Sequence, residues 1–176
     1  ILVATDGSPA AQGALRLAAS LQDRHGFTVE LLGVAEPVPV FDAGFLVALP
    51  EVELYESRQE ILKNEIADQV GSLEGGPRPW TIRVESGLPG PRIVRRAEEL
   101  GALLILLGLG RHRPLDRVFG TETALQVVRL SHIPVLAVPA AATALPRSAV
   151  LAVDFSGFSR RAAPAALWVL DPPWDV

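Results

Sequence analysis

Apolar residues fall into two rhythms along this chain, short solid runs and longer stretches spaced by three and four, and the two alternate. Residues 1–4, Ile-Leu-Val-Ala, form the first run, followed by Asp6-Gly7-Ser8-Pro9. In that turn Ser8 can cap a helix and Pro9 can take its first position. Ala11, Ala14, Leu15, Ala18, Ala19 and Leu21 then recur at helical spacing across 10–21, and Gly26 supplies a stop. Residues 27–34 read as a buried strand broken by Pro37 and Pro39, and 41–49, apolar without clean periodicity, as a covering loop. The longest helix is predicted over 51–73, with Val52, Leu54, Tyr55, Ile61, Leu62, Ile66 and Val70 on one broad face and Gly75-Gly76-Pro77 ending it. A strand over 80–85, a turn at Ser86-Gly87-Leu88-Pro89 and a helix over 91–100 come next. An unbroken apolar strand over 102–107, a helix over 121–130 and a strand over 134–139 complete the series.

Strands alternating with helices of this length predict right-handed crossovers and an α/β fold, a doubly wound parallel sheet. Ligands in such sheets sit beyond the carboxyl ends of the strands where the strand order reverses, which singles out Thr5-Asp6 and Gly108. A second pattern overlies the first. Residues 149–156, Ala-Val-Leu-Ala-Val-Asp-Phe-Ser, and the Ala- and Arg-rich stretch after them repeat the pattern of residues 1–8 and its helix, 148 positions on. Internal duplication explains this most economically: a domain over 1–139, a linker over 140–147, and over 148–176 the opening strand and helix of a second, incomplete copy. A chance recurrence of a common strand-to-helix turn is the alternative.

Composition narrows the function. With 176 residues, 49% of them hydrophobic, the chain can bury a stable core. A net charge of −4 argues against a general electrostatic grip on nucleic acid. The absence of cysteine excludes disulfides and thiolate metal sites and fits a reducing cytoplasm. His25, His112 and His132 have no ligand spacing. No apolar run approaches the roughly 20 residues of a membrane-spanning helix, and no secretory signal precedes Ile1, so a cytoplasmic protein without a membrane partner is expected.

Gly108, Gly110, Gly120 and Thr121 lie between a buried strand and a helix. Backbone amides at such a helix start can cradle phosphate, glycine permits close approach, and the Thr121 hydroxyl adds a donor. An ordinary glycine-bearing turn fits the same spacing. A Walker loop is excluded, because the only lysine is Lys63, and a dinucleotide fingerprint from Gly108 would need glycine where Arg113 stands. Arg111, His112, Arg113 and Arg117 place a basic cluster inside the loop, able to clamp phosphate or simply to be solvated. Trp80, Trp168 and Trp174 read as core or interface anchors. No nucleophile, histidine and acid fall into a catalytic arrangement, and no carboxylate pairs with Asp6 at a strand end.

Taken in order, several motifs resemble the universal stress protein family. They are the run from Ile1 to Ser8, Leu31-Leu32-Gly33-Val34, Gly87 with Pro89 and Ile93, the strand into Gly108, Gly110 with Gly120-Thr121, and Pro134-Val135-Leu136-Ala137-Val138. The resemblance implies a five-stranded parallel sheet of order 3-2-1-4-5, of the adenine-nucleotide alpha-hydrolase-like kind. It further implies an adenine nucleotide, ATP, ADP or AMP, with Mg²⁺ or Mn²⁺ bridging its phosphates. Asp6 would hold the ribose hydroxyls, the backbone of Ala4, Thr5 and Val34 would surround the adenine, and Gly108, Gly110, Gly120 and Thr121 would hold the phosphates. The family's loop runs Gly, two residues, Gly, nine residues, Gly, then Ser or Thr. Here Gly110, nine residues, Gly120 and Thr121 match, but one residue separates Gly108 from Gly110. The output would be a stress-response or regulatory module with at most slow ATP hydrolysis. The family's non-binding branch supplies the alternative, a dimerising partner-binding module, and an ATP-dependent transfer enzyme is more distant. Assembly is expected through the edge strand 135–138 (Val135, Leu136, Ala137, Val138), in a homodimer or an internal pseudo-dimer, because an open apolar edge invites aggregation.

Overall fold

The computed structural model describes residues 1–36, 51–110 and 121–170. The expected covering loop over 41–49, the basic cluster of Arg111, His112, Arg113 and Arg117, Gly120 and Trp174 lie outside the described residues. Among the described residues five strands alternate with five helices: β1 (Leu2–Ala4), α1 (Gln12–His25), β2 (Glu30–Ala35), α2 (Glu51–Gly71), β3 (Thr81–Ser86), α3 (Pro89–Glu99), β4 (Ile105–Leu109), α4 (Thr121–Leu130), β5 (Val135–Pro139) and α5 (Gly157–Val169).

The local signals act as their chemistry dictates. Ser8 caps a single 3-10 turn, Pro9–Ala11, accepting a hydrogen bond from the Ala10 amide at 3.3 Å, and this turn leads into α1. Gly26 ends α1 in the left-handed region, φ +70°, and donates its amide to the Gln22 carbonyl. Helix α3 begins at Pro89, two residues before the expected start, because proline at N1 lacks only a donor that would be unpaired there anyway. Strand β2 begins at Glu30 rather than at residue 27, since pairing with β1 and β3 starts there, with Leu2 and Thr81 opposite Glu30.

The sheet is wholly parallel in the order β3-β2-β1-β4-β5. Its two faces follow from the alternation of side chains. Val3, Leu31, Leu106 and Val138 point toward α1 and α2, joining Leu15, Ala18, Leu21, Ile66 and Val70. Leu2, Ala4, Leu32, Val34, Ile105 and Leu107 point the other way, onto Ile93, Val94 and Ala97 of α3 and Ala124 and Val127 of α4. β1 is completely enclosed, with Leu2 and Val3 fully buried. Trp80 serves as a core anchor, buried with its indole nitrogen donating to Gln22 Oε1 at 2.8 Å. Arg96 of α3 meets Glu30 with two hydrogen bonds, 2.7 and 3.0 Å, which raises the guanidinium pKa.

The repeat over 148–176 is only partly realised. Ser156 caps α5, as Ser8 caps its own turn, and Asp154 accepts from the Ser156 amide at 2.9 Å as Asp6 does from Ser8 at 3.0 Å. The middle residue is left-handed in both, Gly7 at φ +76° and Phe155 at φ +60°. The strand expected over 149–153 does not form: no described strand pairs with it, and Val150 is 98% exposed. Helix α5 nevertheless docks on the domain. Val169 joins the core with Leu145, Trp168 meets Phe27 edge-on at 6.0 Å, and Arg24 donates to the Leu170 carbonyl at 2.8 Å.

Candidate functional site

β1 ends at Ala4, and the chain must then turn sharply to reach its first helix. Thr5 still belongs to the sheet, since its amide donates to the Leu32 carbonyl at 3.0 Å. Asp6 closes the turn by accepting the Ser8 amide at 3.0 Å, so the aspartate has the local role any Asx turn would give it. Gly7 is required here twice over. Its φ of +76° suits glycine, and a Cβ on it would lie 2.8 Å from Glu65 Cβ of α2. The turn is therefore pressed against α2.

Helix α2 approaches the sheet closely at a second glycine. A Cβ at Gly33 would fall 2.7 Å from Ile66 Cδ1 and 3.0 Å from Leu62 Cδ2, so Gly33 lets the helix lie on β2. Between that helix and the carboxyl ends of β1 and β2 opens a cavity of about 320 Å³. Among the described residues it is lined by Asp6 from the β1 turn, Val34, Ala35 and Glu36 from β2 and its end, and Arg58, Ile61, Leu62 and Glu65 from α2. Ligand sites span roughly 300–1,000 Å³, so this cavity lies at the small end of that range. Three carboxylates and one guanidinium line it, with apolar side chains between. Carboxylates accept hydroxyl hydrogen bonds well, whereas phosphate would be repelled from that wall.

Of the expected site residues, Asp6 and Val34 come together in this cavity. Ala4 and Thr5 do not line it. Both are buried, Ala4 paired between Leu32 and Leu107, and the Thr5 amide is taken by the sheet. The Thr5 amide thus extends the pairing of β1 with β2 by one residue. Gly108 is buried near the end of β4 and faces the first helical turn: a Cβ there would lie 2.5 Å from the Ala10 carbonyl oxygen and 2.6 Å from Ala11 Cα. Its lack of a side chain serves packing. Gly110 directly follows β4, and Thr121 opens α4. β4 runs beside β1, with Leu107 opposite Ala4, so the start of the glycine loop and the Asp6 turn leave the sheet on neighbouring strands. His132 sits in the turn between α4 and β5.

The α2 contribution was missed by sequence reasoning. Arg58, Ile61, Leu62 and Glu65 fall within about two turns on one side of α2, and Gln69, one turn further on, is buried on a helix whose apolar stripe does not include it. A polar residue inside an otherwise apolar stripe was the available signal. Among the described residues no group of three or more His, Cys, Asp or Glu is placed to hold a metal ion, and no helix is long and apolar enough to cross a membrane.

Fold and cavity together define a doubly wound α/β domain with a cavity at the carboxyl ends of the first two strands, where such folds keep their ligands. Residues 1–139 match the universal stress protein family, and the chain belongs to it. It is 28% identical over 142 residues to a universal stress protein of Methanocaldococcus jannaschii, spanning 78% of this chain and 80% of that one. Its structure resembles the universal stress protein UspA from Lactobacillus plantarum, with a TM-score of 0.59 at 23% identity, covering 78% of this chain and 94% of that one. A universal-stress-family protein from Burkholderia pseudomallei gives a TM-score of 0.56 at 24% identity over 78% of this chain and 93% of that one. Likenesses at this identity speak for the fold.

Proposed function

We propose that this domain binds an adenine nucleotide, ATP, ADP or AMP, as a cytoplasmic stress-response or regulatory module. The observation that carries the reading is the meeting of Asp6 and Val34 in one cavity at the carboxyl ends of adjacent strands. In this reading Asp6 accepts the ribose hydroxyls, the end of β2 at Val34 borders the adenine, and the phosphates extend toward the segment from Gly108 and Gly110 to Gly120 and Thr121, where the start of α4 offers amides and a favourable dipole. A Mg²⁺ or Mn²⁺ ion would come in with the phosphates and neutralise part of their charge, and no protein side chain is assigned to it. Resemblance to the family supports the roles of Asp6, Val34, Gly110, Gly120 and Thr121, whereas the Gly108 to Gly110 interval departs from the family's loop.

The test is calorimetry with AMP and ATP on the protein and on Asp6→Ala. Removing a charged acceptor of ribose hydroxyls should weaken binding by about 1–3 kcal/mol, roughly 5- to 150-fold. Equal affinity would return Asp6 to its turn-forming role alone. No heat with either nucleotide at millimolar concentration would favour the second reading, a partner-binding module without nucleotide. One feature supports that rival: Gly108 is occupied in packing against Ala10 and Ala11, and it stands one residue closer to Gly110 than the family's loop has it.

The repeat belongs to the same proposal. The 1–139 domain, the 140–147 linker and the 148–176 segment are read as one unit followed by the opening of a second copy, supported by the repeated Asp-x-Ser turn. β5 is an edge of the sheet with Val135, Leu136 and Ala137 partly exposed, and we infer that residues 135–138 pair with a second copy, in a homodimer or within one chain.

A further inference from the structure

Behind Asp6 lies a set of side-chain hydrogen bonds that the proposed nucleotide contacts leave unused. Thr5, 1% exposed, donates its hydroxyl to Gln69 Oε1 at 2.9 Å, and Gln69 Nε2 donates to the Ser8 carbonyl at 2.7 Å. The Thr5 hydroxyl also accepts the Gly7 amide at 3.1 Å. One amide group from α2, itself 8% exposed, therefore grips both ends of the four-residue turn that presents Asp6.

Glutamine suits this place because its planar amide offers an acceptor and a donor side by side. Glutamate could not donate to the Ser8 carbonyl, and asparagine would be one methylene short. The turn needs such a grip. Gly7, the residue after Asp6, has no side chain to fix its sign of φ, so a glycine-centred turn is free to invert unless its polar groups are held. Here the Gly7 amide is fixed through Thr5 and the Ser8 carbonyl through Gln69, on either side of the aspartate.

We propose that Gln69 is a positioning residue that, through Thr5 and Ser8, sets the Asp6 carboxylate toward the ribose hydroxyls. This rests on the nucleotide reading of the cavity. The effect is on selectivity for the ribose and not on the base: a loosened turn keeps its carboxylate but loses its aim.

The experiment measures the affinities of AMP and of 2′,3′-dideoxy-AMP, which lacks the hydroxyls, for the unmodified protein and for Gln69→Met, Gln69→Glu and Thr5→Ser. The unmodified protein should prefer AMP. Both Gln69 variants should lose about tenfold on AMP while holding dideoxy-AMP nearly constant, so that the preference collapses, and Thr5→Ser, which keeps the hydroxyl, should retain it. Retention of the full preference in a folded Gln69 variant would overturn the inference and leave the nucleotide reading standing. If the unmodified protein binds both ligands equally, the Asp6 reading fails first and takes this inference with it. A ligand-free measurement separates the two further. Amide exchange at Gly7 and Ser8 should quicken in Gln69→Met and Gln69→Glu, and unchanged protection would refute the grip itself.

Discussion

Replacing Gly108 with alanine tests how the candidate site is put together. The added methyl would sit 2.5 Å from the Ala10 carbonyl oxygen, 2.6 Å from Ala11 Cα and 2.8 Å from the Ala10 carbonyl carbon, all backbone atoms of the turn that follows Asp6. Nothing there can rotate aside, so β4 and that turn must separate. Overpacking of this kind costs about 1–3 kcal/mol, and contact with rigid backbone puts this case toward the top of that range. Against it stands the relief of about 0.5–1 kcal/mol gained when alanine replaces a strand glycine. The net expectation is a loss of about 2 kcal/mol, which for a chain of this size lowers the melting temperature by about 4–8 °C. Gly71 supplies the control. At the end of α2 a Cβ would meet nothing within 4 Å, so Gly71→Ala should be neutral or stabilise by up to about 0.5–1 kcal/mol. Scanning calorimetry of the two variants reads opposite signs from the same chemical change. A Gly108→Ala protein melting within a degree of the parent, or above it, would refute the close contact between β4 and the first helical turn.

Two other expectations concern the remainder of the chain. Hydrogen bonds from Ser156 and Ser159 hold the Asp154 carboxyl at about 2, below its ordinary 3.8. A depressed pKa favours the folded turn above pH 4, and this contribution should fade as pH falls from about 4 toward 2. An NMR titration of the Asp154 carboxyl with an ordinary midpoint near 4 would contradict the bonds. For the 135–138 edge, light scattering on the 176-residue chain should give a dimer unless the pairing is made within a longer chain, and a monomer whose β5 amides exchange freely would refute both forms of pairing.

Element types and the sheet architecture were legible because apolar runs, caps and glycine stops agreed with one another at each step. The Ser8 cap, the Gly26 stop, the Thr121 start and the central strand at Leu106 and Leu107 needed only local chemistry. The site was legible in part. Asp6 is singled out by standing at the end of a buried strand and Val34 by the family resemblance, but the opposite wall comes from α2, which is distant in sequence. Which helical residues face a strand end depends on how the helix crosses the sheet, and Gly33, read only as part of a strand, governs that approach. Ala4 and Thr5, expected beside the base, do not line the cavity, and the Thr5 amide donates to the Leu32 carbonyl.

The sharpest lesson lies in the two copies of the Asp-x-Ser pattern. Residues 1–4 and 149–152 are equally apolar, and each is followed two residues later by an aspartate that accepts the amide two positions on, and then by a serine that caps a helical turn. The turn forms both times because its hydrogen bonds are made within a few residues. The strand forms once. Leu2 is fully buried because Glu30 stands opposite it on one side and Ile105 on the other, while Val150, its counterpart, is 98% exposed. A parallel strand has no hairpin partner next to it in sequence and exists only where a distant segment pairs with it. Even Phe155 follows the turn rather than its own preference, adopting φ +60° where Gly7 adopts +76°. Local chemistry thus fixes the place where the turn's aspartate stands, and the surrounding sheet decides whether that aspartate faces a cavity: Asp6 does, beside β2 and α2, while Asp154 has no described strand beside it.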